Sequence, residues 1–262
     1  MIFLKLGGSL ITDKSQPEVC RLAVLHRLAD EIASARARRP EMQLLLGHGS
    51  GSFGHVASAR YGTHQGASTP QAWLGFAEVW RVANRLNRLV VDALLGSGLP
   101  AMSFPPSASA IAEGGEIQQL AVETVRLAIE RGLLPVVAGD VAFDLGRGST
   151  ILSTERVFSY LALRLHPSHL LLAGVEPGVV RGYPSGTEVM PTVTDHDLET
   201  QGIGGASATD VTGGMADKVR HGVSMARSVP GLVVRIFSGM QPGEVERALL
   251  GDPVGTQVLG DK

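Results

Sequence analysis

The 262-residue chain is 44% hydrophobic and 18% charged, with a formal net charge of −2 and an isoelectric point near 6.4. That balance argues against nucleic acid as a main partner, because a protein that grips a phosphate backbone carries a basic excess. No apolar run reaches the roughly 20 residues of a membrane-spanning helix, so no membrane partner is expected, and the lone Cys20 excludes an internal disulfide and a multi-cysteine metal centre.

In chain order, residues 2–6 read as a buried strand ending in Gly7-Gly8-Ser9. It lacks the basic, apolar and small-residue order of a secretion signal, so a cytoplasmic setting is expected. From 17 to 38, Leu22, Leu25, Leu28, Ala29 and Ile32 recur at helical spacing. Residues 42–46 form a second buried strand running into a glycine-rich stretch that ends at His55. A long helix follows over 70–95. Strands at 99–104 and 133–138 flank a helix at 119–131, and Gly139-Asp140 turns into a short strand at 141–143. A helix over 153–165, a strand over 169–173, a helix opening at Gly213 or Gly214, a strand over 232–237 and a helix over 244–249 complete the chain. This alternation predicts an α/β fold, a three-layer αβα sandwich around a mostly parallel sheet. No linker divides residues 1–262, so a single domain is expected. Ligands of such sheets lie beyond the carboxyl ends of the strands, where the glycine clusters fall.

Four of these strand ends carry polar chemistry. Lys5-Leu6-Gly7-Gly8-Ser9, with Thr12-Asp13-Lys14 after it, offers backbone N–H groups and ammonium charge to an anion, or a plain tight turn. Gly49-Ser50-Gly51-Ser52-Phe53-Gly54 matches the dinucleotide fingerprint formally but lacks the acidic residue expected at the end of a following strand. Its glycines supply N–H donors at a helix start, and His55 either points to the same anion or caps and packs that helix. Gly139-Asp140 and Ser153-Thr154-Glu155 place carboxylates where they would hold Mg²⁺ or pair with lysines, or simply form a turn and a helix start. Asp210-Val211-Thr212-Gly213-Gly214-Met215-Ala216-Asp217-Lys218 sets a glycine pair at a helix start with a lysine one turn in.

Only four of the 23 basic residues are lysines, namely Lys5, Lys14, Lys218 and Lys262. Lysine is a compact point charge where arginine is a wide fork, and three of the four fall in these segments. No lysine follows a glycine, so there is no Walker A loop, and the His-Arg-Asp and Asp-Phe-Gly of protein kinases are absent.

Taken in order, Lys-x-Gly-Gly-Ser, the second glycine-rich loop and Asp-x-Thr-Gly-Gly-Met-x-x-Lys resemble the amino acid kinase superfamily over nearly the whole length. Ile11-Thr12-Asp13-Lys14 and Gly51-Ser52-Phe53-Gly54-His55 resemble, within it, the isopentenyl phosphate kinases. The resemblance implies an amino acid kinase fold, ATP and Mg²⁺ as cofactors, a small-molecule phosphate substrate and a homodimer. An acceptor-binding lobe would span about 1–150 and an ATP-binding lobe about 151–262. It implies that Lys5, Lys14 and Lys218 neutralise phosphoryl charge and that His55 holds the acceptor phosphate. Gly8, Ser9, Gly51, Gly54, Gly139 and Asp140 would border the acceptor, and Gly178, Thr212, Gly213, Gly214 and Met215 the nucleotide. Phe76, Val79 and Ala83 share a helix face and would line the acceptor's tail, though core packing explains them equally well. The chain departs from the family pattern at Ser50, which breaks a Gly-Gly-Gly run. Ser153-Thr154-Glu155 stands where Ser-Gly-Asp is usual, which makes Glu155 the candidate organiser of the lysines. Val175-Glu176-Pro177-Gly178-Val179 alters an Asp-x-x-Gly-Val. A fosfomycin-type kinase of the same fold and a nucleotide-binding sensor without turnover are the alternative expectations.

Overall fold

The computed structural model describes residues 1–54, 61, 66–182, 186–200 and 214–260. Its elements in chain order are β1 (Ile2–Leu6), α1 (Gly8–Ile11), α2 (Leu22–Arg38), β2 (Leu44–His48), α3 (Pro70–Gly96), β3 (Ala101–Ser103), β4 (Ile111–Glu113), β5 (Glu116–Gln119), α4 (Val122–Glu130), β6 (Leu134–Ala138), β7 (Asp140–Asp144), β8 (Gly148–Leu152), α5 (Thr154–Leu165), β9 (His169–Gly174), β10 (Thr192–Val193), α6 (Asp195–Thr200), α7 (Gly214–Ser228), β11 (Val233–Ser238), α8 (Glu244–Leu250) and β12 (Thr256–Val258).

Eight strands form one sheet in the order β10-β12-β11-β9-β1-β2-β6-β3. The run from β11 to β3 is parallel, and β12 and β10 close one edge in the opposite direction. Period-2 alternation sends successive side chains to opposite faces. Leu4 and Leu6 of β1 join Leu44, Leu46 and Val136 under α2, α3 and α8. Phe3 joins Leu45, Val137, Leu170, Leu172 and Ile236 under α4, α5 and α7. Each fully buried leucine or phenylalanine contributes about 1.5–3 kcal/mol. The three-layer expectation stands. Lys5 lies on the α5/α7 face, because it is two residues past Phe3.

Three expectations are corrected. The helix at 119–131 begins only at Val122, and Glu116–Gln119 is a strand. Helix and strand do not alternate throughout, since β5-β4-β7-β8 form a separate four-stranded sheet. The turn between β4 and β5 is Gly114-Gly115, with φ of +59° and +87°. That backbone favours a tight hairpin and is open to glycine at little cost. The Asp144 carboxylate accepts N–H groups from Gly114, Gly115, Gly146 and Arg147, which fixes both hairpin turns together. The first long helix likewise starts at Leu22 rather than residue 17.

Candidate active site

The loops after β1 and β2 meet backbone to backbone. A Cβ on Gly8 would lie 2.5 Å from Gly51 N, and one on Gly49 would lie 2.7 Å from Gly8 N. No other residue permits that approach. Thr12 fastens the pair: its Oγ1 donates to Gly8 O at 2.7 Å and accepts from Ser52 N at 3.0 Å.

Behind this seam His48 is buried. Asn87 Nδ2 donates to its Nε2 at 2.9 Å, so Nδ1 carries the proton and donates to Gly49 O at 3.1 Å. Burial, reinforced by the nearby Lys5 charge, pushes the ring down to about 4, against the opposing hydrogen bond to Gly49. His48 therefore stays neutral and holds the loop.

The start of α5 is positioned by the absence of a side chain. Gly47 is the register partner of Lys5 across β1 and β2. A Cβ there would come within 2.6–2.7 Å of Phe158 and Thr154. Ser153 caps the helix by accepting from Arg156 N at 3.3 Å, and Thr154 Oγ1 donates to His48 O at 2.6 Å. With Thr154 tied to β2, Glu155 falls beside Lys5 on the next strand, and the two form an ion pair. Burial alone would raise the Glu155 carboxyl; the charge of Lys5 and its hydrogen bond outweigh that and hold it at about 2.

This pair forms part of the wall of a pocket of about 430 Å³, its open mouth included. Leu172, Ala173 and Gly174 of β9, Ile236 of β11, Gly7, Glu176, and Met215, Lys218 and His221 of α7 complete its lining. A Cβ on Gly174 would sit 3.9 Å from Lys218 Nζ, which places that ammonium at the end of β9. The pocket thus opens at the carboxyl ends of β1 and β9. There the chain's connections diverge, with β2, β6 and β3 to one side and β11 to the other, which is where open α/β sheets hold ligands.

A second cavity of about 180 Å³ lies beyond β6, lined by Ala83, Asn84, Asn87, Pro105, Ala138, Gly139 and Asp140. Burial lifts the Asp140 carboxyl to about 6 despite bonds from Ser107, Val141 and Asn84. Of the proposed tail-lining face of α3, Ala83 reaches this cavity, Val79 is buried, and Phe76 sits 5.4 Å from the Trp73 ring and 5.3 Å from that of Phe143.

The structure therefore brings Lys5, Lys218, Met215 and Glu155 into one pocket, with Gly8 and Gly51 at the adjoining seam. Ser9 lies in α1 and Gly54 in the helical stretch 51–54. Gly214 opens α7 with φ of +66°. Two candidates sit elsewhere. Lys14 is exposed, in a turn closed by Asp13 accepting from Ser15, and does not line the pocket. Gly178 is packed under Thr256, whose Oγ1 a Cβ would approach to 2.6 Å. His55, Asp210, Thr212, Gly213 and Lys262 lie outside the described residues. Sequence reading passed over His221, although its spacing of three after Lys218, itself three after Met215, places all three on one helix face. It also passed over Gly47 as a packing position, since nothing in the sequence marks which helix would cross it.

Residues 1–238 match the amino acid kinase family, and the chain belongs to that family. It is 35% identical to the isopentenyl phosphate kinase of Methanothermobacter thermautotrophicus, over 99% of each chain. It is 32% identical to that of Haloferax volcanii, over 100% of this chain and 99% of the relative. A crystal structure of an isopentenyl phosphate kinase superposes with a TM-score of 0.82 at 31% identity, covering 98% of both chains.

Proposed function

We propose that the chain transfers the terminal phosphoryl group of ATP to isopentenyl phosphate, giving isopentenyl diphosphate and ADP. The observation that carries this reading is the convergence of Lys5 and Lys218, from opposite ends of the sequence, on one pocket at the switch point of the sheet. The full-length likeness to isopentenyl phosphate kinases supports the choice of acceptor.

An oxygen of the acceptor phosphate attacks the γ-phosphorus, the bond from that phosphorus to the β,γ-bridging oxygen breaks, and ADP leaves with the electron pair. The acceptor is already ionised at neutral pH, so no strong general base is required. The work is to align two anions and offset their repulsion. Lys218 at the end of β9 and Lys5 at the end of β1 supply the positive charge, and Glu155 fixes where Lys5 points. The first turn of α7 brings Met215 to the same pocket, and N–H groups at a helix start suit phosphate oxygens. Residues 1–150 would present the acceptor and 151–262 the nucleotide.

The donor set suits a magnesium ion carried in on nucleotide phosphates rather than one caged by protein. Among the described residues no group of three His, Cys, Asp or Glu side chains converges, while Glu176 in the pocket lining would be available to such an ion. When bound, Mg²⁺ would neutralise charge on the β- and γ-phosphates.

A coupled ADP-release assay tests the acceptor. Isopentenyl phosphate is expected to give a higher kcat/KM than dimethylallyl phosphate and far higher than fosfomycin. A preference for fosfomycin would transfer the protein to the antibiotic-kinase reading, and nucleotide binding without any turnover to the sensor reading.

The acceptor's tail is assigned to the α3 face bearing Phe76, Val79 and Ala83. Burying five carbons there would contribute about 4 kcal/mol at about 0.8 per carbon. Phe76→Ala opens one end of that face and is expected to admit longer prenyl phosphates. An unchanged chain-length preference would place the tail elsewhere.

A further inference from the structure

Glu155 shares its pocket with basic side chains from two other elements. Lys5 reaches it from β1 through an ion pair. His221 projects into the same pocket from α7, one turn beyond Lys218, and interacts electrostatically with both Glu155 and Lys5. A carboxylate on a long, flexible arm, held by one flexible ammonium, keeps rotational freedom that a second contact removes. We propose that His221 is a positioning residue for phosphoryl transfer: from α7 it steadies the Glu155 carboxylate, which in turn aims Lys5 at the reacting phosphate. The inference rests on the reading of this pocket as the transfer site.

The charged groups that share the pocket with His221 are Lys5 on β1, Glu155 on α5, Glu176 in the segment after β9 and Lys218 on its own helix. Burial, the largest influence, and Lys5 lower the imidazole's affinity for a proton, while Glu155 raises it; the net direction is down. The ring is neutral at neutral pH, and a neutral ring offers Glu155 one N–H without displacing the ammonium. Acidification turns it into a cation that competes with Lys5 for the same carboxylate. Turnover should therefore fall on the acid side as His221 gains its proton.

The test measures kcat and the KM for ATP of His221→Leu and His221→Gln across about pH 5 to 8.5, with Lys218→Ala in parallel. His221→Leu is expected to lose about tenfold in kcat while its KM stays within about twofold. His221→Gln, which keeps a donor but cannot titrate, should recover most of that loss and move the acid limb to lower pH. Wild-type kcat and an unmoved acid limb in His221→Leu, with Lys218→Ala inactive, would overturn the inference and leave the transfer site standing. Normal turnover in Lys218→Ala would remove the transfer site and the inference together. Should His221→Leu fail to fold, an unmoved acid limb in His221→Gln is the overturning result.

Discussion

Replacing Lys218 with alanine is expected to lower kcat by about 10²–10³-fold, the typical loss when one preorganised donor to a developing oxyanion is removed. Lys218 leaves α7 one turn in and sets its ammonium at the end of β9, next to Gly174. There it faces the pocket that Lys5 enters from β1. Because the charge is needed most as the phosphoryl group moves, the effect should fall on kcat more than on the KM for ATP. Lys218→Arg should restore only part of the activity, since a planar fork occupies more width than the compact ammonium it replaces. Lys5→Ala should cost a similar factor and should also destabilise the fold, because Glu155 would lose its ion-pair partner. Steady-state kinetics at saturating acceptor checks both; near-normal turnover in either variant would reject the charge-neutralising role.

Glu155→Gln should produce the second large effect, on activity and stability together. The substitution keeps the shape of the side chain and removes the charge that directs Lys5. A fall in kcat of about 10–100-fold is expected, from loss of orientation rather than of a group that contacts phosphate. Removing one partner of a buried pair costs about 3–5 kcal/mol; the Glu155 side chain keeps part of its surface in water, so the loss should lie at or below the low end of that range. The carboxyl is held at about 2, below its ordinary 4.5. The sign follows from the depressed value. The pair's stabilisation is fully present above about pH 4.5 and is lost as pH falls toward about 2. Wild type and Glu155→Gln should thus differ most in chemical denaturation at neutral pH and converge in acid. Equal stabilities at neutral pH would show that the pair does not anchor α5 to β1.

Much of this arrangement was legible before any coordinates. The mostly apolar runs read at 2–6, 42–46 and 133–138 coincide with or overlap the buried central strands Ile2–Leu6, Leu44–His48 and Leu134–Ala138. The glycine-rich stretches after β1 and β2 read as cradles for an anion, and what the structure adds is that Gly8 and Gly51 approach each other backbone to backbone. The scarcity of lysine pointed to Lys5 and Lys218, and the exchange of a family aspartate for Glu155 pointed to the residue that pairs with Lys5. What was not legible depends on which way a short segment turns. The β4–β5 hairpin is built from strands of three and four residues, too short for alternation to register, and only Gly114-Gly115 marks it. Lys14 lies nine residues after Lys5, yet the Asp13–Ser15 turn and the Thr12–Cys20 bridge carry it out to solvent. Gly178 reads as a nucleotide-loop glycine, but the antiparallel return of β12 packs over it. That return is a long-range pairing, and no local pattern encodes it. His221 is not marked in the sequence, and Glu176 is marked only as part of an altered motif, because a pocket wall is assembled from several elements and only their mutual packing decides which side chains line it.

The most direct measurement is a structure of the chain with a non-hydrolysable ATP analogue and isopentenyl phosphate bound together. The terminal phosphoryl group is expected within about 2.7–2.9 Å of both the Lys5 and Lys218 ammonium groups, the range of a charge-assisted hydrogen bond. The acceptor phosphate should lie in line at the Gly8–Gly51 seam. A triphosphate seated away from the ends of β1 and β9, with the Lys5–Glu155 pair untouched by either ligand, would contradict the account.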